Sequence, residues 1–256
     1  MIKNILLSCV CLICLCSSCD VLHENEFRTR RANETTQRLS DNPAPSGVDE
    51  PMLYSKFYRF KTGQSYTRSV ERLYFGPQSD MMPEMNKHDI RRGFNIEQYT
   101  KYSKASFFET DVFEIPAELK ARASDLYKPL IDSLFTLAAL HKSFHAEILV
   151  MGYTDESPIP YNSPVYERLL RLQKQQYFNY NDYYHALSFY RAKEVSDLLS
   201  QMLTAQKPLY NRFQKFTIDL ITEGRGIEYP DAKRTYALQD DKRKITKVYW
   251  KVSKTS

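Results

Sequence analysis

The chain has 256 residues, a formal net charge of +5 and a hydrophobic content of 42%. These values are typical of a globular protein with a sizeable core, and they exclude wholesale disorder. The mild positive charge, without a basic run that contains aromatics, argues against a nucleic-acid partner. None of the seven glycines lies in a phosphate-binding loop pattern, so the sequence predicts no nucleotide cofactor.

The first 18 residues have the pattern of a secretory signal peptide. A short positive start precedes the apolar run 5–15, and Ser17-Ser18 then supplies the small residues of a cleavage site. The apolar run makes a helix of about 16 Å, which is too short for a bilayer core of ~30 Å. We therefore expect residues 1–18 to be removed from the mature chain.

All five cysteines lie in the first nineteen residues. The segment Cys16-Ser17-Ser18-Cys19 resembles the cleavage motif of bacterial lipoproteins. This resemblance implies cleavage before Cys19 and its acylation, with palmitate among the acyl chains, so that lipid anchors the chain to a membrane. A plain secretory signal with an incidental cysteine is the alternative. In either case the mature chain can form no intrachain disulfide and no thiolate metal site.

Residues 19–51 are polar and show no apolar periodicity, and the run 42–47 reads Asn-Pro-Ala-Pro-Ser-Gly. Such a segment cannot bury enough surface to offset its ordering entropy. We expect a flexible tether that gives a folded domain reach from a membrane surface.

Residues 52–107 are harder to interpret. Short strands are predicted at 56–60 and 70–75, the first ending near Gly63 and the second at Gly76. The sequence assigns this region no function, and both a partner surface and extra sheet strands are open.

Residues 108–256 alternate predicted strands with long helices. A strand is predicted at 112–115, and a kink or a restart is expected at Pro129 in the helix that follows. The apolar face of that helix is predicted to consist of Leu119, Ala123, Leu126, Leu130, Leu134 and Leu137. Further elements are predicted as a strand at 146–151, a helix at 187–203, and strands at 216–220 and 246–252. This succession predicts an α+β fold, an α/β sandwich in which one face of the sheet is covered by helices.

Four fragments of this part resemble the OmpA-like, peptidoglycan-associated domain. The sequence of 113–119 is similar to its opening strand and helix start, and Gly152-Tyr153-Thr154-Asp155 to its Gly-His-Thr-Asp. Residues 187–195 match Leu-Ser-x-x-Arg-Ala-x-x-Val, and 224–230 match Gly-x-Gly-x-x-x-Pro. The resemblance implies a β-α-β-α-β domain with a mixed sheet and helices on one face.

Members of this family bind the peptide stem of peptidoglycan noncovalently, holding the zwitterionic end of a diamino acid. A carboxylate complements its ammonium, and a guanidinium complements its carboxylate. Asp155 and Arg191 match these two roles, with Gly152 and Thr154 beside Asp155, and the helix N-terminus adds N–H groups that favour an anion. The alternative is that Asp155 caps a loop and Arg191 forms a surface ion pair.

Asp155 and Arg191 are 36 residues apart in the sequence, which is more than is usual in the family. The excess is a tyrosine-rich insertion at about 157–182, in which apolar residues at helical spacing predict one helix. A lid or protein-binding surface is one interpretation, because aromatics are favoured at interfaces. An added helix that merely packs on the domain is the other.

The sequence does not indicate an enzyme. There is no G-x-S-x-G motif, and His141 and His145 lack the glutamate of H-E-x-x-H, so no catalytic residue, metal site or cofactor is predicted. We expect a lipoprotein of the outer membrane whose periplasmic domain binds peptidoglycan and so links the membrane to the wall. The alternative is a structural component of an envelope-spanning complex, such as a type VI secretion-like machine, whose insertion contacts other envelope proteins.

Overall fold

The computed structural model describes residues 52–62, 65–76, 95–141, 143–206 and 215–254. The predicted signal peptide, the tether and Cys19 lie outside these residues. The described chain has a mixed α+β fold, in which helices pack on one face of a six-stranded mixed sheet. The predicted fold class is therefore confirmed.

The strands are β1 (Met52–Thr62), β2 (Ser65–Gly76), β3 (Thr100–Ala105), β4 (Ser143–Gly152), β5 (Lys215–Gly224) and β6 (Thr246–Lys254). The helices are α1 (Ala117–Leu140), α2 (Pro164–Gln173) and α3 (Tyr180–Ala205). The order in the sheet is β1-β2-β5-β4-β6-β3, with β4 and β5 parallel and the other neighbours antiparallel. The two parallel central strands therefore end at the same edge of the sheet.

The main core lies between the helices and one face of the sheet. On β4, the alternate residues Ala146, Ile148 and Val150 are buried there against α1 and α3. The opposite face carries a second apolar cluster that includes Leu149 and Met151. Because both faces of β4 are apolar at its end, the strand reads as a continuous hydrophobic run in the sequence.

Two glycines bring α3 close to the ends of the central strands. Gly152 and Gly224 are partners in the β4–β5 pair. A Cβ atom on Gly152 would lie 2.0 Å from the carbonyl oxygen of Ser188, and one on Gly224 would lie 2.6 Å from the backbone nitrogen of Phe189. The helix therefore crosses both strands in backbone contact, which places Arg191 beside the end of β4.

The predicted strands at 56–60 and 70–75 are confirmed as parts of β1 and β2. They form a hairpin that joins the sheet through β5, so the sheet continues across the boundary drawn at residue 107. Of the two interpretations left open for this region, the observed one is extra sheet strands. Arg72 on β2 donates to both carboxylate oxygens of Asp219 on β5, at 2.7 and 2.6 Å, which ties the hairpin to the central strands.

The predicted strand at 112–115 is wrong. Phe113 and Ile115 are buried, which accounts for the apolar alternation, but the backbone there is not in a strand. The carbonyl oxygen of Val112 accepts a hydrogen bond from Arg191 instead. The strand that pairs with β6 is β3, which lies at the edge of the sheet and has the mostly polar sequence Thr-Lys-Tyr-Ser-Lys-Ala.

The first helix differs from its prediction in two respects. α1 continues through Pro129 without a restart. Its buried face includes Tyr127 and Ile131, whereas Leu126 is 37% exposed. The leucine pattern therefore predicted the helix correctly but misplaced part of its buried face. None of the helices within the described ranges has the length and apolar character needed to cross a membrane.

A charged recess at the end of the central strands

The loops that follow β4 and β5 and the loop before β6 are joined by backbone hydrogen bonds. The amide of Arg225 donates to the carbonyl of Gly152 at 2.9 Å, and the amide of Thr154 donates to the carbonyl of Gly226 at 3.0 Å. The amide of Tyr153 donates to the carbonyl of Ile245, also at 2.9 Å. The segment that carries Thr154 and the predicted ligand residue after it is therefore fixed in place by its neighbours.

Arg191 is fully buried under the β3–α1 loop. Its Nε atom donates to the carbonyl of Val112 and its Nη2 atom to the carbonyl of Glu109, both at 2.8 Å. Its Nη1 atom donates to Thr154 Oγ1 at 3.1 Å, with a longer contact of 3.5 Å to the carbonyl of Tyr153. The guanidinium thus joins the β3–α1 loop to the end of β4.

The charge of Arg191 is balanced by nearby acidic groups. Burial lowers the pKa of Arg191 to about 10, while the negative charges of Asp155 and Asp111 act in the opposite direction. The guanidinium therefore remains protonated at neutral pH. An uncompensated buried charge is strongly destabilising, so the two carboxylates are part of what holds Arg191 in place.

Asp155 and Lys244 face each other beside this arginine, in a charged cluster that also contains Thr110 and Asp111 and that we call the recess. Their side chains are 4% and 7% exposed, and Lys244 Nζ lies 4.0 Å from Asp155 Oδ2. Asp155 Oδ2 accepts a hydrogen bond of 2.6 Å from Ser157, and Lys244 Nζ donates to Thr110 Oγ1 at 2.5 Å. Lys244 also pairs at 2.5 Å with Asp241, whose side chain is 90% exposed, so the recess reaches solvent at that residue.

A second carboxylate, that of Asp111, comes from the β3–α1 loop. Asp111 has a left-handed backbone with φ of 55°, a conformation that Asp tolerates better than most residues. Tyr183, in the first turn of α3, donates to its Oδ1 atom at 3.4 Å. Burial raises the pKa of Asp111 above its usual range, although the Tyr183 hydrogen bond and the charge of Arg191 oppose this shift.

The structure brings Gly152, Thr154, Asp155 and Arg191 together, as the resemblance implied. Their individual roles remain predictions. Cys19 lies outside the described residues. The sequence reasoning missed other charged or polar members of the recess, which are Lys244, Thr110 and Asp111. Lys244 lies two residues before the start of β6, so its position at the ends of the strands could have indicated it.

The insertion builds a small apolar cluster of its own beside the recess. The helix predicted there is α2, which begins at Pro164 after the cap residue Ser163. One of the four tyrosines of the insertion, Tyr166, is buried in a cluster formed by Phe113, Tyr166, Leu169, Leu170, Phe178, Tyr183, Tyr184, Ala186 and Leu187. Tyr184 also donates to the carbonyl of Ser157 at 2.6 Å. Three tyrosines of the insertion remain 50–66% exposed, namely Tyr161, Tyr177 and Tyr180.

The recess therefore combines the carboxylates of Asp155 and Asp111 with the cationic groups of Lys244 and Arg191; Asp155 and Lys244 form an ion pair, and the other two act on them electrostatically. Such an arrangement is complementary to a small zwitterion, whose two charges can each replace one internal partner. Among the described residues, no group of histidines and carboxylates is arranged to hold a metal ion. Together, the fold and the recess define a mixed α+β domain with a charged candidate binding site at the carboxyl ends of its parallel strands.

No family model matches the chain, and no curated protein matches it at a significant level. The solved peptidoglycan-associated lipoprotein from Burkholderia pseudomallei is 14% identical, covers 58% of this chain and 91% of its own, and has a TM-score of 0.32. The periplasmic domain of MotB is 14% identical, covers 85% of this chain and 80% of its own, and has a TM-score of 0.31. The corresponding domain of Helicobacter pylori MotB is 13% identical, covers 81% of this chain and 89% of its own, and also has a TM-score of 0.31.

Proposed function

We propose that this chain binds peptidoglycan noncovalently through the charged recess. The ligand is the zwitterionic end of a diamino acid in the peptide stem. The observation that carries the proposal is the Asp155–Lys244 pair, whose side chains are almost completely buried and lie 4.0 Å apart. The two groups are too far apart for a hydrogen bond to each other, so a ligand ammonium can bond to Asp155 in place of Ser157, and a ligand carboxylate can bond to Lys244 in place of Asp241.

Arg191 has a different role in this proposal from the one that the resemblance implied. Its Nε and Nη2 atoms already donate to Val112 and Glu109 of the β3–α1 loop. It therefore acts as a positioning residue, which holds Thr110 and Asp111 at the recess while its charge favours the anionic groups there. A bound carboxylate interacts with Lys244 directly and with Arg191 through its electrostatic field.

The test is a titration with a stem peptide that carries a free diaminopimelate end, supported by a pull-down with isolated sacculi. Asp155→Asn keeps the shape of the side chain and removes its charge, and Lys244→Met keeps most of its length. We expect each to weaken binding at least about tenfold, because hydrogen bonds to charged groups contribute about 1.5–3 kcal/mol. The matched control is Lys242→Met, which changes an exposed lysine in the turn beside the recess. Failure of the unmodified chain to bind either probe would exclude the proposal.

The proposal includes an outer-membrane anchor through acyl groups on Cys19, with the tether of residues 19–51 leading to a periplasmic domain. The support is the sequence pattern that precedes Cys19. Growth with labelled palmitate is expected to label the unmodified protein and not Cys19→Ser. Cell fractionation then reports which membrane holds the labelled chain. A labelled Cys19→Ser protein, or an unlabelled parent, would contradict the anchor.

A second candidate is a structural component of an envelope-spanning complex that does not bind peptidoglycan. Two observations favour it. Arg191 already donates to carbonyl groups of its own chain, and the insertion leaves Tyr161 and Tyr177 exposed. In that case, Asp155→Asn leaves envelope crosslinking of the chain unchanged, and Tyr177→Ala combined with Tyr161→Ala abolishes it. The stem-peptide titration separates the two candidates directly.

A further inference from the structure

Four residues form a continuous chain of contacts beside the recess. Tyr180 Oη lies 3.3 Å from Glu156 Oε2, and Glu156 Oε1 accepts from Arg243 Nη1 at 3.0 Å. The guanidinium of Arg243 lies 4.9 Å from the centre of the Tyr229 ring. Arg243 is fully buried, whereas Tyr180 and Tyr229 are 50% and 46% exposed. Two exposed aromatic rings therefore flank an ion pair between the buried Arg243 and the partly buried Glu156.

Both tyrosines are held in position by the rest of the domain. The ring of Tyr180 meets Tyr184 edge-on at 4.8 Å, and its hydroxyl is held by Glu156. The ring of Tyr229 contacts Tyr236 at 5.4 Å in addition to the guanidinium of Arg243. Exposed aromatics that are already ordered lose little conformational freedom when a ligand packs on them. These rings are therefore suited to binding in a way that a mobile surface tyrosine is not.

The ion pair between the two tyrosines is made by residues that are next to those of the recess in the sequence. Glu156 follows Asp155, and Arg243 precedes Lys244. The carbonyl oxygen of Leu238 accepts from the amide of Glu156 at 2.8 Å and from Arg243 Nη1 at 3.2 Å, so Leu238, which is 63% exposed, lies beside the ion pair. A polymer that places a charged group in the recess can therefore reach this surface.

We infer that Tyr180, Tyr229 and Leu238 form a platform for the uncharged sugar rings of a β-1,4-linked N-acetylhexosamine chain. This inference rests on the proposed function, since the platform would receive the glycan to which the stem is joined. The apolar face of a pyranose ring packs on an aromatic ring, while its hydroxyl and amide groups bond to polar side chains at the edge. The Glu156 carboxylate provides such a group.

The size of the platform favours a sugar over a folded protein as its ligand. A specific protein–protein interface buries about 800 Å² on each partner and comprises some 20–30 residues on each side. Three exposed side chains around one ion pair are far fewer than this. One or two tyrosine rings, in contrast, are sufficient to hold one or two sugar rings.

The test uses two soluble probes, which are a β-1,4-linked N-acetylglucosamine tetramer and the stem peptide without sugar. Tyr180→Ala and Tyr229→Ala are each expected to weaken tetramer binding at least about fivefold, as is usual when an aromatic anchor is truncated. Tyr180→Phe and Tyr229→Phe retain the rings and are expected to stay within about twofold of the parent. Tyr177→Ala is the matched control, because Tyr177 is 66% exposed and belongs to the same insertion but not to the chain of contacts.

The outcomes separate this inference from the proposed function. If the tetramer does not bind, or if Tyr177→Ala weakens it as much as Tyr180→Ala does, the platform is excluded whatever the stem peptide does. If the tetramer binds with the expected tyrosine dependence and the stem peptide does not bind, the platform stands and the recess proposal fails. Glycan strands stripped of their stems by an amidase provide the natural form of the sugar. They are expected to show the same dependence on Tyr180 and Tyr229, and binding that ignores both residues would overturn the inference.

Discussion

Gly152 and Gly224 are direct partners across the β4–β5 pair, and the backbone of α3 lies against both of them. This contact fixes the distance between Arg191 on the helix and the loop that follows β4. The two glycines come from two of the four fragments that resemble the OmpA-like domain. Their common role here is steric, because each strand end has room for a hydrogen atom but not for a methyl group.

We expect Gly152→Ala to lower the free energy of unfolding by about 3 kcal/mol, because its Cβ would meet the Ser188 carbonyl at 2.0 Å. The matched control is Ala121→Gly, which exchanges the same two residue types at an exposed position of α1. It involves no steric conflict and should cost about 1 kcal/mol or less. Urea denaturation measures both, and equal losses would contradict the steric explanation.

The ion pair between Arg72 and Asp219 provides a test of whether the hairpin belongs to the domain. Both side chains are largely buried, at 12% and 9% exposed. Arg72→Met leaves the carboxylate without its main partner and should cost about 3–5 kcal/mol. Adding Asp219→Leu removes the orphaned charge and should recover much of that loss. Arg122→Ala, on the exposed side of α1, should change stability by no more than about 0.5 kcal/mol. A small effect of Arg72→Met would mean that the hairpin is only loosely associated.

Glu147 predicts how stability depends on pH. Burial raises the pKa of Glu147, but hydrogen bonds from His145, Lys251 and Tyr99 outweigh this and lower it from 4.5 to about 2. A carboxyl with a lowered pKa stabilises the fold above its unfolded pKa and loses that contribution as the pH falls through its folded pKa. We therefore expect about 3 kcal/mol to be lost between roughly pH 5 and pH 2. Glu147→Gln should flatten the profile in this window, and a profile parallel to that of the parent would refute the assignment.

Arg191 is expected to control the order of the β3–α1 loop. Arg191→Lys keeps the charge but cannot reproduce the divergent hydrogen bonds to Val112 and Glu109. Amide hydrogen exchange in residues 106–113 should therefore accelerate at least about tenfold. Arg168→Lys is the control, because Arg168 binds Glu114 near the end of the same loop through an exposed ion pair. Unchanged exchange in Arg191→Lys would show that the loop is held by other contacts.

Much of the fold could be predicted from the sequence because most elements carry a strong apolar period. β4, β5, β6, α1 and α3 all bury one or both faces, and the two strands of the hairpin, though not their pairing, were predicted from short apolar runs. β3 was missed because an edge strand with exposed lysines shows little apolar alternation. The strand assigned to 112–115 failed for the opposite reason, since Phe113 and Ile115 alternate correctly while the backbone bonds to a side chain.

The candidate site could be predicted in part. Local motifs indicated Asp155 and Arg191, and the structure brings them into electrostatic contact. Lys244 lies two residues before β6 and could have been placed at this end of the sheet, whereas Asp111 could not, because its proximity depends on how the β3–α1 loop meets the strands. Arg191 donates hydrogen bonds to the backbone carbonyl groups of Val112 and Glu109, and such bonds leave no recognisable pattern in a sequence. The positioning role that we propose for Arg191 could be inferred only from the folded chain.

The way in which the chain enters the sheet has a mechanical consequence. β1 begins at Met52, which pairs with Gly76 at the end of the sheet where β4 and β5 start, whereas the recess lies at the end where they finish. A pulling force between the amino end of β1 and the recess therefore runs along the strands. Hydrogen bonds between antiparallel strands are perpendicular to that direction, so those of the β1–β2 and β2–β5 pairs share the tension in parallel. The domain thus opposes such a force by shear of whole strands and not by the sequential unzipping of single bonds.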